Sequence, residues 1–116
     1  MTPTLQKKPA FHAIAIRFDG KGFVYTTADQ KDGATIAVRR GDRVKWSSDL
    51  GNYSILFKGE SPFVEVATHG RKGAETDLLE IVGEPGAYKY AVTVAHANGL
   101  TVDDPVVIVS GDGDGI

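Results

Sequence analysis

Apolar side chains in this chain recur at every second residue, in runs that stay short. Val44 and Trp46 alternate with Arg43, Lys45 and Ser47; Tyr53, Ile55 and Phe57 alternate with Ser54, Leu56 and Lys58. Tyr88, Tyr90, Val92 and Val94 alternate with Lys89, Ala91 and Thr93 in the longest run. A period of two sends successive side chains to opposite faces of an extended strand, whereas a helix needs a period near 3.6. Each run therefore has one face to bury and one to leave wet, and the chain is directed toward sheets.

Turn-forming residues separate the runs. Phe11 to Phe18 reads as a first strand, ended by Asp19-Gly20, and Phe23 to Thr26 as a second. After the polar stretch Asp29 to Gly33 comes a strand over Thr35 to Arg39, then a turn at Arg40-Gly41-Asp42. Strands at Arg43 to Ser47 and Tyr53 to Lys58 follow, and Gly59-Glu60-Ser61-Pro62 breaks the latter. Further strands are expected at Phe63 to Ala67, across Thr76 to Val82, and at Tyr88 to Val94, with His69 to Gly73 as a basic loop. Asn98-Gly99 is a hairpin signal. Leu100 to Val102 and Val106 to Val109 close the set around Asp103-Asp104-Pro105. About eight short strands with frequent turns predict an all-β protein, an antiparallel Greek-key β-sandwich. The expected core is Val44, Trp46, Ile55, Phe57, Tyr88, Tyr90, Val92 and Ile108.

At 116 residues the chain is one domain, read as a sandwich over residues 11–110 with an N-terminal extension over 1–10 and a flexible tail over 111–116. With no cysteine it has neither disulfides nor thiolate ligands. Thirteen basic and fifteen acidic side chains leave a net charge of -2, which gives no electrostatic case for nucleic acid or an anionic membrane. The first residues carry Lys7 and Lys8 without an apolar run behind them, so the expectation is a cytoplasmic protein with no signal peptide and no membrane span.

Three segments together resemble a known family: Gly41-Asp42-Arg43-Val44-Lys45-Trp46, Asn52-Tyr53-Ser54-Ile55-Leu56-Phe57, and Pro85-Gly86-Ala87-Tyr88-Lys89-Tyr90-Ala91-Val92. In order and spacing, over roughly Val38 to Val109, they are similar to the cupredoxins, small Greek-key sandwiches that include plastocyanin and azurin. An immunoglobulin-like sandwich is the competing reading. The resemblance implies metal-ligand positions that this chain fills otherwise. Tyr53 stands at the first histidine, Val92 at the cysteine, and Ala95 at or beside the second histidine, with His96 one residue on. A one-residue shift in a strand reverses the side chain's direction. A blue-copper centre needs two imidazoles and a thiolate, so no blue-copper cofactor is expected.

What remains is a set of lesser candidates. Tyr53, Phe63 and His96, with Asn52 beside them, are read as the lining of a binding site for an unidentified protein or small-molecule ligand. His96 with His69 is the alternative, a degenerate Cu(II) or Zn(II) site, although the chain's three imidazoles (His12 is the other) lack the short spacing of a helical zinc motif. Asp112-Gly113-Asp114-Gly115 is too short for a calcium loop. No nucleophile motif or phosphate loop occurs, so no catalytic residue is assigned. The reading is a non-catalytic binding or interaction module, with no cofactor and with exposed strand edges as a route to partners or a homodimer.

Overall fold

The computed structural model describes residues 10–18, 21–27, 34–96 and 99–110, with only the backbone of His96. The extension over 1–9, the turns at Asp19-Gly20 and Asp29 to Gly33, Asn98 of the hairpin signal, and the tail over 111–116 lie outside the described residues.

Ten strands form: β1 (Phe11–Phe18), β2 (Phe23–Thr26), β3 (Thr35–Arg39), β4 (Arg43–Ser48), β5 (Tyr53–Phe57), β6 (Ala67–Gly70), β7 (Leu79–Glu80), β8 (Gly86–His96), β9 (Gly99–Asp103) and β10 (Val106–Ser110). One sheet has the order β2-β1-β4-β7. The other runs β3-β10-β8-β5-β6, with β9 also paired to β8. The chain is an all-β sandwich, and it changes sheet at five connections, in keeping with a Greek-key path. Two pairs are parallel, β1 with β4 and β3 with β10. The sequence predicts antiparallel pairing for both; the difference arises because alternation reports a strand's faces and not its neighbour's direction.

β8 organises the larger sheet. Val92 pairs with Asp103 and Lys89 with Val106, in one unbroken register. β9 and β10 are thus two lengths of one long strand, interrupted at Asp104-Pro105. Proline has no N–H to give the ladder, but the Pro105 carbonyl still accepts the Tyr90 N–H at 3.1 Å.

The inward faces of both sheets meet in one core that includes Ile14, Ile16, Ile36, Val44, Trp46, Ile55, Tyr90, Val92 and Val94. Seven of the eight expected core residues are buried. Ile108 is the correction: it is 38% exposed on the outer face, while Val107 and Val109 are 0% and 2% exposed. The run Val106-Val107-Ile108-Val109 is apolar on both faces, so alternation could not choose between them.

Two other strand expectations are corrected. Phe63 to Val66 is irregular, and the strand starts at Ala67 and takes in His69 and Gly70, residues expected in a loop. The Phe57 N–H donates to the Val66 carbonyl at 2.8 Å, so the irregular stretch still leans on β5. Within Thr76 to Val82 only Leu79 and Glu80 pair, against Val44 and Arg43.

Asp42 secures the start of the small sheet. Gly41 turns the chain at φ 96°, a conformation that favours glycine. The buried Asp42 carboxylate then accepts the Ala10 N–H, the Arg39 N–H and a His12 Nε2 hydrogen bond, each at 3.0 Å. Burial alone pushes a carboxyl up, but these donors outweigh it and hold Asp42 below the usual range. Because the folded pKa lies below the unfolded one, the stabilisation is complete above the ordinary carboxylate range and is lost as pH falls through the folded value. Asp42→Asn should lower unfolding free energy by about 2–4 kcal/mol at neutral pH. In denaturant titrations that gap should close once the pH is well below the ordinary carboxylate range.

Candidate functional site

Tyr53 opens β5 on its inward face, and its ring is closed over on every side that the core and the following loop can reach. Its hydroxyl lies 2.9 Å from the Trp46 carbonyl oxygen and 2.7 Å from that of Ala74, so one proton serves two acceptors. Burial first, and the Glu75 carboxylate second, push the phenol up to about 12. Gly70, paired with Tyr53 across β5 and β6, makes room for the ring; a Cβ there would overlap the hydroxyl and ring carbons. Glycine inside a strand often marks such a close approach.

The loop after β6 is stitched down around this ring. Asn52 Oδ1 accepts the Lys72 N–H at 2.9 Å, and the Gly73 N–H donates to the Ser48 carbonyl at 2.7 Å. Thr76 clamps Trp46 from both sides of its peptide: Thr76 N–H donates to the Trp46 carbonyl at 2.9 Å, and Trp46 N–H donates to Thr76 Oγ1 at 3.1 Å. Lys45 and Glu75 add an ion pair at 3.0 Å on the partly exposed side. Thr76, Ala74 and Gly70 were not singled out from sequence. Only the glycine carries a signal there, and that signal points to a loop.

Val92 is fully buried on β8, directly paired with Ile55. Tyr53 pairs with Val94, so Tyr53 and Val92 occupy neighbouring inward positions of the same sheet. Phe63 is elsewhere. Its ring packs edge-on against Phe57 at 5.5 Å and Trp46 at 5.9 Å. Phe57 is the last residue of β5 and Tyr53 the first, roughly 13 Å away at about 3.3 Å per residue. Phe63 thus packs toward the far end of β5 from Tyr53, and Trp46 meets both, its ring against Phe63 and its carbonyl on the Tyr53 hydroxyl. Asn52 is exposed and sits beside Tyr53.

Of the two histidines, His96 ends β8 and pairs with Gly99. His69 is exposed on β6, level with Ser54 on β5 and Thr93 on β8. The two positions are two strands and three residues apart. Among the described residues no cluster of three or more His, Cys, Asp or Glu side chains could hold a metal ion. A cleft of about 230 Å³ is lined by residues 15–18 and 47–50 and includes none of the predicted site residues.

The outer face of the larger sheet is short of charge toward the β8–β9 tip. Ala95 is level with Leu100 and its N–H donates to the Asn52 carbonyl at 2.8 Å; Ser54, Thr93 and Val102 are level with one another, as are Leu56 and Ala91. Leu56, Leu100 and Val102 are all more than half exposed. Outward positions of a solvated sheet are ordinarily polar. This face therefore offers apolar surface beside small side chains, with Lys58 and Lys89 marking its charged border.

No family profile matches the chain, and no curated protein matches it. Among solved structures it is similar to Fet3p, described as a multicopper oxidase that functions in iron import, at 18% identity and a TM-score of 0.45. The match takes in 91% of this chain and 24% of that one, so the chain spans about a quarter of the oxidase's length.

The Tyr53–Gly70 contact gives a direct check on how tightly the Tyr53 ring is enclosed. Gly70→Ala should cost about 1–3 kcal/mol by overpacking. In a Tyr53→Ala background the same change should cost much less, so a double-mutant cycle read by denaturant unfolding should give a coupling of at least about 1 kcal/mol.

Proposed function

We propose that this chain is a non-catalytic, cupredoxin-like binding or interaction module that works without a blue-copper centre. The observation that carries the reading is the state of Tyr53 and Val92. Both stand where the cupredoxin resemblance places metal ligands, and both are enclosed by packing, with the Tyr53 hydroxyl bound to two backbone carbonyls. Side chains that fill volume and satisfy their own polar atoms leave no room for convergent ligands. Recognition then falls to the surface, where loops and outward strand positions ride on a rigid sandwich.

The outer face bearing Asn52, Leu56, Thr93, Ala95, Leu100 and Val102 is the recognition surface of this reading. Its exposed aliphatics supply contact area, and Ser54, Thr93 and Asn52 supply hydrogen-bonding groups. Metal addition tests the first half of the proposal. Titrating purified, tag-free protein with Cu(II) or Zn(II) should give no stoichiometric uptake by calorimetry and no rise in Tm. Stoichiometric uptake of either metal, abolished by His96→Ala, would overturn it.

A further inference from the structure

The edge of β6 carries an inference that goes beyond this reading and does not depend on it. The Phe57 N–H bonds to the Val66 carbonyl, which fixes the alternation of the β5–β6 ladder. Val66, Thr68 and Gly70 turn their backbone groups toward β5. Ala67 and His69 turn theirs outward, because antiparallel neighbours alternate between bonded and non-bonded pairs. No described residue is hydrogen-bonded to the outward groups of Ala67 or His69.

Edge strands are normally blunted by lysine, proline or a bulge. Ala67-Thr68-His69-Gly70 has none of these. The flanks of the edge are oppositely charged. Glu60 and Glu65 precede it, Arg71 and Lys72 follow it, and all four are exposed. Among the described residues none of these four side chains has an ion-pair partner.

We propose that β6 pairs antiparallel with β6 of a second copy of this chain, about a two-fold axis at Thr68, joining the larger sheets of two protomers into one. In that register Ala67 is opposite the partner's His69, and the two symmetric pairs make four backbone hydrogen bonds. Glu65 is then opposite the partner's Arg71, and Arg71 opposite the partner's Glu65. Directly opposed side chains on antiparallel strands have Cβ atoms about 4.5–5.5 Å apart, close enough for opposite charges to attract. The same register sets each histidine against an alanine. An isologous contact needs a patch that complements itself, and an acidic end followed by a basic end along an antiparallel edge meets that need. A peptide of another protein could add to the same edge, but the charge pattern matches the chain's own.

Sedimentation velocity of the full chain over a concentration series tests the pairing. The expected result is a reversible monomer–dimer equilibrium. Ala67→Pro removes an outward N–H and leaves the β5 ladder intact, so it should weaken dimerisation at least about tenfold, with monomer circular dichroism unchanged; His69→Pro is the second variant should the first not fold. Glu65→Arg and Arg71→Glu should each weaken the dimer, and the double swap should restore it. A chain that stays monomeric throughout, or a dimer indifferent to these changes, would overturn the inference while leaving the copper result untouched.

Discussion

Trp46 is the residue on which both halves of the molecule depend. It belongs to β4 of the smaller sheet, and its fully buried side chain reaches Tyr90 of the larger one. Its ring meets Tyr90 at 5.5 Å and Phe63 at 5.9 Å, and Phe57 closes the group at 5.0 Å from Tyr90. The indole Nε1–H donates to the Tyr90 hydroxyl at 3.2 Å, so its one polar atom is satisfied inside the core. Burial pushes the Tyr90 phenol well above its ordinary range, which keeps it neutral. Burying an aromatic side chain is worth about 2–3 kcal/mol, and each such pair adds about 0.5–1.5 kcal/mol. The backbone of the same residue receives Tyr53 and Thr76, so the sheet-to-sheet contact and the enclosed Tyr53 ring share a single anchor.

That sharing has a functional consequence. A site that is to bind a metal or small molecule must keep polar groups convergent and partly unsatisfied. Here the Tyr53 hydroxyl, the Trp46 peptide and the Thr76 hydroxyl satisfy one another, and Gly70 lets β6 close over the ring. Opening this region would expose an aromatic ring and strand three hydrogen-bonding groups. In the function proposed above, recognition therefore falls to the outer sheet face and to the edges.

Much of the fold was legible because strand alternation is strong where one face is wet. β1, β2 and β3 have the predicted bounds, and the inward sets of β4, β5 and β8 are those that alternation selects. Legibility failed where the physical signal is degenerate. Ile108 sits in a run apolar on both faces, so period two has no phase. β6 contains Ala, Thr, His and Gly, with no apolar alternation, and is held as a strand by its ladder to β5. β7 is two residues long and exists because β4 needs a neighbour at Arg43 and Val44. At the site, the burial of Tyr53 and Val92 followed from their inward phase. The separation of Tyr53 from Phe63 did not, because the irregular chain from Phe63 to Val66 returns to the far end of β5. Gly70 and Thr76 act through contacts distant in sequence, which no local pattern encodes.

The ionisation of Tyr53 tests the central claim most directly. An NMR pH titration following its ring carbon bearing the hydroxyl should show the phenol still protonated through the ordinary value of 10.0 and titrating near 12. An inflection at the ordinary value would mean an open, solvated position at β5 and would contradict the closed site on which this account rests.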